Sequence, residues 1–251
     1  MAIALCLAPC LATAQDIAIE PPAEGAFVQD LAQMVKSDDV LAIREIGEQL
    51  LSDLAIPIIV VTVDSMGQYG GSNWRIETFA RILFDQWGIG HETIEGESWN
   101  RGILLVVSKN DRKARIELGA DWAGEYNATC REIMDGQIIA NFKQGNFSGG
   151  ILAGVQALDN MSRGLEMPKP VQPPWFWPVT IGVIALAIFS AVSLARSGAS
   201  GWAWILWAAI FGIIGMILYQ MATSSGRGGG GFSGGSFGGG FGGGGGATGS
   251  W

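Results

Sequence analysis

The sequence predicts an α/β fold, a three-layer α/β/α sandwich, followed by a C-terminal two-helix transmembrane hairpin and a disordered glycine-rich tail. Three observations predict it. Two apolar runs, Ile58–Val63 and Gly102–Val107, read as strands buried on both faces. Segments with apolar residues at helical spacing alternate with them, which places helices on both faces of one sheet. Beyond this part, two uncharged apolar runs, Trp175–Leu194 and Trp202–Met221, precede a tail that is mostly glycine.

The elements follow in order. Asp38–Leu54 is predicted helical, with Ser37, Asp38 and Asp39 as caps and Ile43, Ile46, Leu50 and Leu54 at helical spacing. Pro57 breaks the chain before the strand Ile58–Val63, and the glycines of Met66–Ser72 make a loop. Ser72 and Asn73 open a second helix whose Ile76, Phe79, Leu83 and Trp87 share one face, and Gly88 and Gly90 stop it. A polar connection, His91–Asn100, leads to the strand Gly102–Val107. Asn110 and Asp111 form a tight turn into a third strand, where Ala114, Ile116 and Leu118 alternate with polar residues. Two helices close the domain. One runs from about Glu125 to Phe142 with Cys130, Ile133, Met134 and Ile138 on a stripe, the other from about Ser148 to Arg163 with Ile151, Val155 and Leu158.

Outside the domain the chain reads as a membrane protein. Residues 1–14 resemble a secretory signal peptide, with Ala12-Thr13-Ala14 as the small-x-small cleavage pattern. Residues 15–166 are then an extracytoplasmic domain, 167–174 a proline-rich spacer, 175–194 and 202–221 transmembrane helices, and 222–251 the tail. Each apolar run has about 20 residues, enough to cross a hydrocarbon core of ~30 Å. Arg196 between the runs suits a cytoplasmic turn, so domain and tail lie on the same outer side of an inner or plasma membrane, periplasmic in a Gram-negative cell. Neither run carries a charge, which argues against an ion or proton pathway.

Composition narrows the function. All 23 Asp and Glu lie at or before Glu166, and the net charge is −8. An acidic domain without a basic stripe does not suit nucleic acid. The tail contains no G-x-x-x-x-G-K, so its glycines cradle no nucleotide. Signal cleavage removes Cys6 and Cys10 and leaves Cys130 without a disulfide partner, on an apolar stripe where a buried small hydrophobe belongs. His91 has no cysteine or serine motif beside it, and Arg112, Lys113 and Arg115 serve either to hold a phosphate or to protect a strand edge.

The order of motifs resembles the TPM domain, the α/β/α module of bacterial YgcG-like membrane proteins and of some thylakoid-lumen photosystem II repair factors. The resemblance covers roughly Pro21–Arg163. It is carried by Phe27-Val28-Gln29-Asp30-Leu31-Ala32, by Trp87-Gly88-Ile89-Gly90 before a buried strand, by Asn110-Asp111-Arg112-Lys113 at the turn, and by Gly145-Asn146-Phe147. A tail of Gly, Ser and Phe ending in Ser250-Trp251 fits the YgcG-like architecture too.

The resemblance implies a shallow site at the sheet edge, with calcium or another divalent cation in some members and weak phosphatase activity in others. Asp30, Asp111, Asp121 and Glu125 are the residues here that could build it. Asp111 sits at a hairpin turn, so Asp30, Asp121 and Glu125 group together more readily than with Asp111. Read without a metal, Asp111 is a turn former, Asp121 a loop residue and Glu125 a charge at a helix N-terminus. The expected function is a binding, assembly or quality-control module for envelope or membrane proteins, with the lipid bilayer as a further partner. The alternative is a weak metal-dependent phosphatase acting on phosphomonoesters outside the cytoplasm.

Overall fold

The computed structural model describes residues 16–23, 25–90, 92–94, 97–166, 176–197, 207, 212, 216 and 242–251. The expected signal peptide, the spacer 167–174, His91, nearly all of 202–221 and the tail up to residue 241 lie outside them.

In chain order the elements are β1 (Val28–Asp30), α1 (Ser37–Leu54), β2 (Ile58–Val63) and α2 (Ile76–Trp87). A small ladder of β3 (Glu92–Ile94) and β4 (Glu97–Trp99) occupies the polar connection. Then come β5 (Ile103–Ser108), β6 (Lys113–Gly119), α3 (Asn127–Ile133), a π-helical turn at Met134–Ile139, α4 (Ala140–Phe142), α5 (Phe147–Ser162), α6 (Phe176–Ser197) and β7 (Gly242–Ser250). One five-stranded sheet has the order β1-β2-β5-β6-β7. Its first three strands are parallel, and β6 and β7 are each antiparallel to their neighbour.

Alternation along the strands divides the core into two layers. Ile58, Val60, Leu105, Val107, Ala114 and Ile116 face α1, α3 and α5, where Ile43, Leu50, Ile133, Ile151 and Val155 are buried against them. Val61, Val63, Leu104 and Val106 face α2, whose Ile76, Phe79, Leu83 and Phe84 fill the other layer. Each fully buried aliphatic or aromatic side chain contributes roughly 1.5–3 kcal/mol. The second layer is closed by Ile17 and Ile19, because Gln86 exchanges two hydrogen bonds of 2.9 Å with the Ile17 backbone and the Trp87 indole donates to Ile19 O at 3.1 Å.

Two expectations are corrected. The tail is not disordered throughout: Gly242–Ser250 is the fifth strand of the sheet. Its glycines are a steric fit as well as a composition, since a Cβ at Gly249 would fall 2.6 Å from Ile139 and 2.7 Å from Met134. The expected single helix from about Glu125 to Phe142 begins at Asn127 and is interrupted by the π-helical turn Met134–Ile139. α6 follows the first apolar run and exposes Ile181, Ile184, Ile188 and Phe189. Among the described residues, no helix is long and apolar enough to cross a membrane.

Candidate functional site

The parallel strands β1, β2 and β5 end along one edge, and the loops that leave them meet there. Register aligns Asp30 with Thr62 and Thr62 with Val107, so these strand ends are neighbours. In open α/β sheets, ligands bind at such carboxyl ends.

Asp30 closes the first of these loops. Its carboxylate accepts the backbone N–H groups of Met34 and Val35, both at 2.9 Å, and the Thr62 hydroxyl. The loop it ties down holds Gln33 at φ 51°, a left-handed conformation that a non-glycine residue adopts at a cost. Asp111 does the same in the β5–β6 turn. It accepts from Ser108 Oγ at 2.6 Å, Met66 N at 3.0 Å and Ser65 Oγ at 3.2 Å, beside Arg112 at φ 51°. Burial pushes the Asp111 carboxyl up, but those three donors and the Lys113 charge outweigh it and hold the group below its ordinary value. Lys109 Nζ donates to Ala32 O at 3.2 Å and joins the two loops.

Asp121 and Glu125 lie at the opposite end of the sheet. Ala114 pairs with Val107 on the Asp30 row, and β6 then runs away from that row to Gly119. Five residues of strand separate the two rows by about 17 Å. Asp121 accepts Asn100 N at 2.6 Å and returns its own N–H to Asn100 O at 3.1 Å, closing the turn before Trp122. Glu125 is exposed, with its N–H bonded to Trp122 O at 3.0 Å. The grouping of Asp30 with Asp121 and Glu125 is therefore corrected: Asp30 shares an edge with Asp111. The parallel pairing of β1 with β2 decides this.

The four carboxylates accordingly do not fit one cation. A hard cation needs several oxygens converging on one point. Asp30 and Asp111 direct theirs at internal donors, and the other pair is at the far end. Among the described residues, no group of three or more His, Cys, Asp or Glu is placed to hold a metal ion.

Other sequence motifs resolve into structure. Trp87-Gly88-Ile89-Gly90 stops α2: Gly88 at φ 61° donates to Asp85 O and Ile89 N returns to Phe84 O, both at 3.2 Å. A Cβ on Gly90, at φ 82°, would fall 2.6 Å from Gly102 N, so the helix exit packs directly on the start of β5. Cys130 is fully buried, and burial pushes its thiol up to about 12, which removes it as a nucleophile.

A cavity of about 430 Å³ opens beside β7. Arg75, Lys113, Arg131 and Lys143 line it against Glu77 and Asp135, and Thr248, Gly249 and Ser250 form one wall. Of the three cations read as phosphate holders, only Lys113 lines it. Arg112 is exposed at its turn, and Arg115 is bound to the buried Glu117 at 2.6 Å. Burial pushes the Glu117 carboxyl up despite the opposing Arg115 charge. Arg115 also reaches the tail, donating to Gly245 O and Thr248 Oγ1 at 3.4 Å each. The roles of Thr248 and Asn127 in seating β7 are not legible from residue type. The break in the glycine run at Ala247-Thr248-Gly249-Ser250-Trp251 is the one signal for them.

Comparison with known proteins gives a family. The model of the TPM domain matches residues 28–161, more than half of the chain. Its label, TPM_phosphatase, names the family and assigns no activity to this chain. No curated protein matches. Two solved structures resemble the domain. One is the N-terminal domain of a P. gingivalis protein, 27% identical with a TM-score of 0.47, covering 60% of this chain and 91% of that one. The other is the N-terminal domain of a Corynebacterium glutamicum protein, 15% identical with a TM-score of 0.43, covering 63% and 95%. On the family match, with the mixed sheet and helical layers described above, this chain belongs to the TPM domain family.

Proposed function

We propose that the protein is a binding and assembly or quality-control module for other membrane or envelope proteins, tethered on the outer side of an inner or plasma membrane, with no turnover of its own. One observation carries the reading: the groups that catalysis would draw on are committed to holding the fold. Asp30 and Asp111 each hold loop backbone, Arg115 is paired with Glu117, and the Cys130 thiol is protonated and buried. A nucleophile needs a free base or a depressed pKa to activate it. Burial instead pushes the Cys130 thiol up, and the carboxylates of Asp30 and Asp111 are taken up by loop backbone and by the Thr62, Ser65 and Ser108 hydroxyls. The tether is read from the signal-like start and the two apolar runs. The exposed apolar side chains of α6, with Phe189 71% exposed, support a lipid or protein cover for that helix.

Cross-linking in native membranes tests the binding role. Reproducible cross-links to defined membrane or envelope proteins are expected, and recovery of the protein alone at native abundance counts against the reading. The phosphatase alternative is favoured only by the four cations around the 430 Å³ cavity. It is tested with a generic phosphomonoester, with and without divalent cation. Turnover at background is expected. Saturable turnover lost in a folded Lys113→Ala variant would replace the binding reading with the enzyme.

A further inference from the structure

We propose that the groove along β6 is a receptor for a glycine-rich strand ending in tryptophan, and that it takes Gly242–Trp251 of a second copy of this chain as well as its own. The inference stands apart from the membrane reading and rests on how β7 is seated.

β6 without β7 would be an open edge. Ala114, Ile116 and Leu118 are buried on one of its faces, and its free backbone groups would lie beside them. Such an edge pairs with whatever strand fits it. The fit is read by few side chains. Residues 247, 249 and 251 lie against the helical layer: Ala247 is 1% exposed, Gly249 lies against Met134 and Ile139 of the π-helical turn, and Trp251 enters an aromatic pocket between α4 and the start of α5. There it meets Phe142 edge-on with ring centroids 4.7 Å apart, and Phe147 at 6.0 Å. On the other face Thr248 donates to Glu77 at 3.0 Å, and at the middle of the strand Asn127 Oδ1 accepts Gly246 N at 2.7 Å. The recognised pattern is therefore an uncharged strand with small residues inward, one threonine outward and a closing tryptophan.

Nothing in this seat depends on the strand arriving from the same chain. The domain's last helix, α5, ends at Ser162 and the strand begins at Gly242, so the connection between them is long. The advantage of an intramolecular ligand falls as its tether lengthens. Copies brought close together can therefore exchange strands, as in domain swapping. A second copy is the partner whose segment is already known to fit.

The test uses the full chain and a synthetic peptide of residues 242–251. Gly249→Val disables the chain's own strand, and Trp251→Ala is a second, milder variant that introduces no clash. The tail-disabled chains are expected to bind the wild-type peptide saturably, and the wild-type chain to bind it about tenfold more weakly because its own strand competes. A peptide carrying Gly249→Val is expected to bind about tenfold more weakly than the wild-type peptide, a loss of ~1.4 kcal/mol. Mixing wild-type and Trp251→Ala chains is expected to yield a two-chain species that the variant alone does not form. Failure of folded Trp251→Ala chains to bind the peptide, or equal binding of both peptides, would overturn the receptor. Peptide binding without any two-chain species in the mixture would overturn the second copy as partner.

Discussion

Thr248 Oγ1 donates a hydrogen bond to Glu77 Oε1 at 3.0 Å, tying the first turn of α2 to a strand 171 residues further along the chain. Burial pushes the Glu77 carboxyl up. Its own backbone N–H, the Thr248 hydroxyl and the Arg75 and Arg115 charges outweigh burial and hold it below its ordinary value of 4.5. A carboxyl with a depressed folded pKa contributes stability that is complete above its unfolded value and is lost as pH falls through the folded one. Acid should therefore loosen β7, beginning below about pH 4.5. Thr248→Val removes one holding bond at a cost of about 1 kcal/mol, so Glu77 should titrate closer to its ordinary value, and β7 should be looser already at neutral pH but lose less on acidification. Carboxyl titration by NMR, with hydrogen exchange of the β6 amides, reads both. An unchanged Glu77 titration in the variant would refute the coupling.

The contrast between β7 and α1 explains what the sequence could disclose. α1 announces itself through acidic residues at its start and apolar residues three or four apart, and its observed span differs from the expected one by a single residue. The expected caps, however, lie inside the helix, whose N-cap is Lys36 with no side-chain capping bond. β2 is an unbroken β-branched run and β5 is apolar up to its last residue, and both were equally legible. β7 has almost no side chains, so neither periodicity nor propensity marks it, and glycine composition is also that of a flexible linker. Its order comes from an edge presented by β6 and from the space that glycine leaves. β1 is only three residues long, and its pairing with β2 is long-range. Asp30 could be picked out as a candidate, but its neighbour could not, because that neighbour depends on register.

Asp30 should behave as a loop staple. Asp30→Asn keeps the size but presents an amide where two backbone N–H groups and a hydroxyl now donate to a carboxylate. Hydrogen bonds to charged groups contribute about 1.5–3 kcal/mol each. The expected loss is roughly 2 kcal/mol by urea denaturation, with faster hydrogen exchange at Met34 and Val35. Because the ligands are the protein's own backbone, the loss should be the same in chelator and in calcium. A loss confined to calcium-containing buffer would make Asp30 a metal ligand instead.

Ser148 joins two helix starts. It accepts from Lys36 N at 2.8 Å, donates to Asp39 Oδ2, and is only 4% exposed. Ser148→Ala leaves the Lys36 N–H and the Asp39 carboxylate without this partner, and losing a hydrogen bond of this kind costs about 1 kcal/mol. The midpoint of thermal unfolding should fall by several degrees, about 2–4 °C per kcal/mol in a domain of this size. Ser148→Thr, which keeps the hydroxyl, should recover part of the loss. Equal stability of the alanine variant would show that the bridge contributes nothing.

Cys130 should be inert while the domain is folded. Its side chain is fully buried, with Sγ 3.9 Å from Met161 Sδ, and burial pushes the thiol up to about 12. At about pH 8 roughly one thiol in ten thousand is then ionised, against about a quarter for an ordinary cysteine of pKa ≈ 8.5. The thiolate is the reacting species, so an alkylating reagent should leave Cys130 untouched in native buffer and modify it fully in denaturant. Mass spectrometry of the peptide that contains Cys130 separates it from Cys6 and Cys10 of the same chain. Rapid native labelling with the circular dichroism unchanged would mean that this thiol is reachable. It would also return the residue to the set of possible nucleophiles, against the non-catalytic function proposed above.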